Sequence, residues 1–284
     1  MKRVNNFSGG LCSFWSAHRD IQEVGKENVV LLFADTLYES PGTYEFIAAA
    51  SDLLGVPITR VSKEMTPWEL FRKEKMIGNN RFPICSIYLK RELLDNWMLE
   101  NFEMDQHQEN FLLEKASLSI GFDWTEGHRL KDLQAVHPTW KVVAPMMNEP
   151  IWDKCKMQRE AEKLGLPLSN AYKKDGLPHD NCGGGCVRAG ITHWVHIYSV
   201  RPDVFSLWER EEKETAEHLI SLDIEPLSML KDRRGGVTKN LYLTELRKRI
   251  EAGEEFPRHD WGGCGCGGAV SIANAELTHH ETKP

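Results

Sequence analysis

The sequence lacks the features that would commit it to a membrane or to a long polyanion. Across 284 residues no apolar run approaches the roughly 20 needed to span a bilayer. Behind the basic start "MKRVNN" there is no apolar h-region, so no secretory signal is expected and a cytoplasmic location follows by default. Positive charge is not in excess. The net charge of −7 argues against a protein that grips nucleic acid by bulk electrostatics. Two local basic segments, "KDRRGG" (231–236) and "LRKRI" (246–250), read as a solvated loop and helix face, and leave only a local patch open to nucleic acid. Internal repeats and long low-complexity linkers are absent too. Cysteine is sparse in the first half, with only Cys12 and Cys85. The other five of the seven, Cys155, Cys182, Cys186, Cys264 and Cys266, all follow. In a cytoplasmic chain such thiols point toward metal binding or reactivity rather than disulfides.

What is present in the first half is an alternation of strands and helices. "KRVNNF", "NVVLLFAD", "VPITRVS", "ASLSIGFDW" and "WKVVAPM" read as strands. "LCSFWSAHRDIQEVG", "SPGTYEFIAAASDLLG" and "EGHRLKDLQAV" read as helices between them, the second with Pro at its start and Gly at its end. This order predicts an α/β fold: a doubly wound, mostly parallel sheet with helices on both faces. After Pro150 the pattern becomes mostly helical, interrupted by the glycine-rich loop "LPHDNCGGGC". Two regions are therefore expected, 1–150 and a cysteine-bearing 151–284 packed on it. Phe7 and Phe33 read as core, and Trp15, Trp124, Trp194 and Trp208 as packing residues.

In a parallel sheet, ligands collect where the strands end. "FSGGLCS" falls there, placing Ser8, Gly9 and Gly10 after the first strand and Ser13 in the first turn of the next helix. Glycines let backbone amides approach a phosphate, and the helix points its positive end at the anion. The stretch is neither a Walker A loop nor a Gly-x-Gly-x-x-Gly fingerprint, and alone it also fits an ordinary tight turn. Other strand ends carry matching chemistry. Asp35 and Thr36 follow the second strand, and Asp123, Glu126, His128 and Arg129 follow a later one. "RFPICSIYLKRE" adds Arg81, Cys85, Lys90 and Arg91. Cations suit phosphates, and carboxylates suit Mg²⁺ or ribose hydroxyls.

Together these motifs resemble a known family. "FSGGLCS" is similar to the pyrophosphate-binding loop (PP-loop) of the adenine nucleotide α-hydrolases. "FADTLYESPGTYEF" and "RFPICSIYLK" resemble segments of its phosphoadenylyl-sulfate (PAPS) reductase branch. "KCKMQREAEKLGLPLSNAY", "NCGGGCVRAGITHW", "RPDVFSLWEREE" and the late "CGC" resemble a PAPS-reductase-like group of phage and bacteria, so the likeness spans nearly the whole chain. Leu37 and Cys12 stand where that pattern often has Gly and Asp, and the terminal Glu-Cys-Gly-Leu-His motif of true PAPS reductases is absent.

The resemblance implies a HUP-type nucleotide-binding domain that takes ATP or a related adenylyl nucleotide with Mg²⁺. Ser8, Gly9, Gly10 and Ser13 would hold the pyrophosphate, with Asp35, Thr36 and Glu126 near the nucleotide. Arg81, Lys90 and Arg129 would balance charge during adenylylation of an acceptor and release of pyrophosphate. The acceptor is unspecified; nucleic acid enters by analogy with the superfamily member that supplies sulfur in DNA phosphorothioation. Cys155, Cys182, Cys186, Cys264 and Cys266 would provide four thiolates for a [4Fe–4S] cluster or, alternatively, a zinc ion, linking the chain to sulfur transfer or reduction. His179 and His193 read as packed or hydrogen-bonded. An adenylyl-sulfate reductase and a non-catalytic, metal-stapled binding module are the competing readings.

Overall fold

A computed structural model of the chain describes residues 1–102, 115–177 and 179–262. They form two compact units that interleave along the sequence. The first contains Met1–Asp35, Pro41–Lys63 and Lys90–Ser169; the second contains Thr36–Ser40, Glu64–Leu89 and the chain from Asn170 onward. The expected division at residue 150 thus becomes several crossings, and the 151–169 segment with Cys155 falls in the first unit.

The first unit is built on a five-stranded sheet with every pairing parallel. Its strands are β1 (Lys2–Asn6), β2 (Val29–Asp35), β3 (Ile58–Ser62), β4 (Ala116–Ile120) and β5 (Val142–Val143), in the order β3-β2-β1-β4-β5. Asn5 registers with Leu31 of β2 on one side and Ser119 of β4 on the other. The chain therefore winds outward from β1 in both directions, and the switch point lies between β1 and β4. Helices cover both faces, as a parallel sheet requires. Helix α1 (Leu11–Val24) buries Leu11, Phe14, Trp15 and Ala17, while Met98 of helix Glu92–Asn101 packs with Val4, Leu32 and Ala116. Helix α2 (Pro41–Leu54) meets α1 through Phe46, whose ring stands edge-on to Phe14 at 5.9 Å.

The strands differ in what they bury. β2 is the apolar run expected of a strand covered on both faces, with Leu31, Leu32, Phe33 and Ala34 all buried. β1 instead turns Arg3 and Asn5 inward beneath α1. Arg3 donates to Ser117 Oγ (2.8 Å) and Asp20 Oδ1 (2.7 Å). Asn5 Nδ2 donates to Asp20 Oδ2 (2.9 Å) and Ser16 Oγ (3.1 Å), and Ser16 meets Ser119 (3.1 Å). This polar layer ties β1, β4 and α1 together just behind the Ser-Gly-Gly loop. Burial pushes the Asp20 carboxyl up, against the opposing pull of its hydrogen bonds and Arg3.

The second unit has an aromatic core. Trp208 packs against Trp68 (5.3 Å), Trp194 (5.4 Å) and Tyr38 (5.5 Å) between ring centroids. Helices Ile191–Val200, Pro202–Ser221 and Leu243–Glu251 surround it, with the antiparallel hairpin of β6 (Leu230–Asp232) and β7 (Lys239–Leu241). Glu212 is fully buried here, accepting from the amides of Met229 (3.0 Å) and Leu243 (2.7 Å). It thereby fixes the hairpin and the first turn of the last helix to one side chain. Trp15, Trp194, Trp208, Phe7 and Phe33 are buried as expected, but Trp124 is not; it sits on the turn after β4 with 58% of its surface exposed. The basic segments are drawn into ion pairs: Arg234 and Arg249 with Asp232, and Arg247 with Glu209. No described helix is long and apolar enough to cross a membrane.

Candidate functional site

The residues Ser8, Gly9, Gly10 and Ser13 form one turn where β1 ends and α1 begins. Gly9 has φ +75°, and a Cβ there would lie 2.9 Å from the side chains of Thr43 and Ile47. Both the backbone angle and the close approach of α2 select glycine. Gly10 caps the helix. Its amide donates to Ser13 Oγ (3.2 Å), and that hydroxyl donates to the Gly10 carbonyl (2.8 Å). Ser8 Oγ lies 3.2 Å from the same Ser13 oxygen.

Across the switch point, Gly121 follows β4. A Cβ on it would lie 2.6 Å from the Ser13 amide nitrogen, so the backbone after β4 runs directly against the first turn of α1. That turn carries no acidic residue to offset the positive end of a 14-residue helix. Its first amides have no acceptor within the helix. The arrangement gives an anion a set of convergent donors without requiring a cationic side chain.

The carboxylates around this loop are engaged with protein groups. Asp35 is buried at the end of β2, accepting from Tyr44 Oη (2.8 Å) and pairing with Arg60 Nε (2.8 Å). Asp123 accepts from the Thr125 amide (2.9 Å), while Glu126 accepts from the Asp123 amide (3.1 Å) in a reciprocal capping box. Glu126 also pairs with Arg129, whose guanidinium lies 4.4 Å from the Phe122 ring centre. Lys90 lies in a π-helical turn, Ile87–Arg91, a deviation often found at functional sites. Lys90 and Arg129 belong to the first unit, Thr36 and exposed Arg81 to the second.

The thiols divide in the same way. Cys12 and Cys155 lie in the first unit, Cys12 half-buried with its sulfur 3.7 Å from that of Met157 and Cys155 exposed on helix Lys154–Lys163. Cys85, Cys182 and Cys186 are half-buried in the second unit against its aromatic core. Cys264 and Cys266 lie outside the described residues, which end at Gly262. Gly262 itself is bridged to Ala189, with the Gly190 amide donating to the Trp261 carbonyl (3.1 Å).

The Cys182–Cys186 loop is held from several directions. Cys182 (φ 53°, ψ 41°) and Gly183 (φ 67°, ψ 19°) are both left-handed. The Cys182 amide donates to Glu39 Oε2 (2.7 Å), and Arg201 donates to the Gly183 carbonyl (3.1 Å) while pairing with Asp175 (2.6 Å) and Asp180 (2.7 Å). His193 lies 2.7 Å from the Gly184 carbonyl and, since a carbonyl only accepts, carries its proton on Nε2. Burial pushes His193 down to about 4, so it is neutral at physiological pH. The Arg188 amide donates to the Cys186 sulfur (3.4 Å). Gly185 lies flat on Trp208, where a Cβ would be 2.3 Å from the indole nitrogen.

Two thiols on a fixed loop with a donor aimed at one sulfur fit half of a four-thiolate centre. Among the described residues, no three Cys, His, Asp or Glu side chains converge on one point. Gly121, Glu39, Asp180 and Arg201 escaped the sequence reading; only the nearness of "YES" to Asp35 and Thr36 hinted at one of them. No protein-family model matches the chain, and no curated protein matches it.

Proposed function

We propose that the chain is a PP-loop enzyme of the HUP type that binds ATP or a related adenylyl nucleotide with Mg²⁺ at the β1–β4 switch point. One observation carries the reading: the backbone of residues 8–13, with Gly9 left-handed against α2 and Gly121 pressed on the first turn of α1. The pyrophosphate would lie on the first-turn amides and Ser13, and Arg129 and Lys90 would balance charge as the acceptor attacks the α-phosphate. Thiols of the second unit, Cys182 and Cys186 with further cysteines, would hold an iron–sulfur cluster or zinc; such a centre supplies electron or sulfur chemistry when it is iron–sulfur. The acceptor, a metabolite or a nucleic acid, would be adenylylated for sulfur transfer or reduction in the cytoplasm.

Calorimetry with ATP and Mg²⁺ tests the nucleotide site. Replacing Ser13 by Ala removes a hydroxyl from the cradle and should weaken ATP binding by about tenfold, as expected for a hydrogen bond to a charged group. Unchanged affinity in Ser13→Ala would remove this loop from the site. Iron, sulfide and zinc content of anaerobically purified protein tests the thiols; metal content untouched by Cys186→Ser would exclude that residue. A second reading, a binding module without catalysis, is favoured by the engagement of Asp35 with Tyr44 and Arg60, which occupies a carboxylate expected near the nucleotide. Pyrophosphate release with candidate acceptors separates the two.

A further inference from the structure

The turn after β2 leaves the sheet unit at Asp35 and is built into the cysteine unit from Thr36 to Ser40. Within that unit it meets the cysteine loop through side chains. Glu39 spans the two segments: Oε1 accepts from the Thr36 hydroxyl (3.3 Å) and Oε2 from the Cys182 amide (2.7 Å). Ser40 Oγ donates to Asp180, two residues before Cys182. Arg201 in turn holds Asp180 and the carbonyl of Gly183.

Both segments also hold a non-glycine residue in the left-handed region, Leu37 at φ 57° and Cys182 at φ 53°. Such a residue has a right-handed alternative that it intrinsically prefers, and it stays left-handed only while its surroundings hold it. A shift of Cys182 between these wells would carry its amide away from Glu39. The amide and the thiol belong to one residue, so a backbone change that repositions the sulfur acts on the Glu39 contact. Glu39 passes that change to Thr36, joined by one peptide bond to Asp35 at the end of β2.

We propose that Glu39 is a positioning residue that couples the state of the Cys182–Cys186 loop, through Thr36, to the end of β2 at Asp35, a residue expected near the nucleotide. The inference rests on the nucleotide reading above. Because binding free energies are reciprocal, a nucleotide that fixes the chain at Asp35 must also alter the protection of the cysteine loop.

The test is amide hydrogen exchange, read by mass spectrometry on full-length protein with and without ATP and Mg²⁺ at concentrations shown by calorimetry to saturate. In the wild type, ATP should change exchange of the Cys182-containing peptide by about fivefold or more, the lower end of typical coupling. The peptide carrying β7 (Lys239–Leu241) is the control. Glu39→Ala should bind ATP and lose the response at Cys182. Glu39→Gln, which keeps one acceptor oxygen for the Cys182 amide, should retain part of it. If Glu39→Ala does not fold, Ser40→Ala, which removes the contact to Asp180, should show a reduced response in its place. ATP binding with no change at Cys182, or a Glu39→Ala or Ser40→Ala response equal to wild type, overturns the coupling and leaves the nucleotide site standing. No ATP binding in the wild type overturns both.

Discussion

Two glycine loops in this chain are built by opposite means. Residues 8–13 reach their shape through what glycine permits, with Gly9 under α2, Gly121 against the helix start, and hydroxyls that bond within the loop. Residues 182–186 reach theirs through what other side chains impose. Glu39, Arg201 and His193 each take a backbone group of that loop, and Trp208 supports it from below. The difference matches the proposed uses: an anion site needs first-turn amides that the helix itself leaves without acceptors, whereas a loop proposed to present sulfur is served by a backbone held from outside.

The largest expected effect breaks the support of the first loop. Asp20 holds Arg3 and Asn5 in the buried layer behind it, so Asp20→Ala removes the buried carboxylate from Arg3 and leaves the exposed Glu23 as its ionic partner. A loss of about 3–5 kcal/mol in urea unfolding is expected. A loss below about 1 kcal/mol would mean that the layer does not bear on stability.

An intermediate effect sharpens the second loop. Its unit holds two buried groups that shift in opposite directions, His193 down to about 4 from 6.5 and Glu212 up to about 7 from 4.5, both mainly by burial. His193 is depressed on folding, so its share of stability is present above pH 6.5 and lost as pH falls toward 4. Glu212 is raised, so its share is present below pH 4.5 and lost as pH rises through 7. From pH 4.5 to 6.5 the slopes oppose. The wild type should be nearly flat there, while Glu212→Gln should gain stability with rising pH at about 1.4 kcal/mol per unit. Urea melts across that range read the slope directly.

The smallest effect concerns the turn after β2. Leu37 occupies a left-handed position where the resembling pattern has glycine. Leu37→Gly should relieve strain and raise stability by about 1 kcal/mol, net of glycine's greater freedom in the unfolded chain. A destabilised variant would show that the exposed leucine side chain contributes more than its backbone costs.

Much of the first unit was legible because its strands and helices alternate with clear periodicity. "NVVLLFAD" declares a doubly covered strand, and the Ser-Gly-Gly turn declares where it sits. The buried polar layer was not legible, because Arg3 and Asn5 alternate with Val4 in a pattern that reads as one solvent face. Their role appears only when Asp20 and Ser119, remote in sequence, arrive beside them. β6 and β7 were missed for a similar reason: three residues each, with little apolar alternation between Lys231 and Lys239. Spacing groups the late cysteines, and the clustering of the 151–169 segment with the sheet is not written in that spacing. Trp124 reads as packing from its position at a strand end, and its turn carries it outward instead.

The interleaving of the units has a consequence for biosynthesis. The chain passes from one unit to the other after Asp35, Ser40, Lys63, Leu89 and Ser169. A growing polypeptide cannot complete the sheet unit until residue 169 has left the ribosome, and by then the 36–40 and 64–89 segments have emerged without the partners that lie beyond 170. The sheet unit has all its segments once residue 169 has emerged, whereas the cysteine unit must wait for the chain beyond it. A gene cut after Ser169 would yield one fragment with every segment of the sheet unit and a second that lacks the 36–40 and 64–89 segments of the cysteine unit, so the second fragment is the one expected not to fold alone.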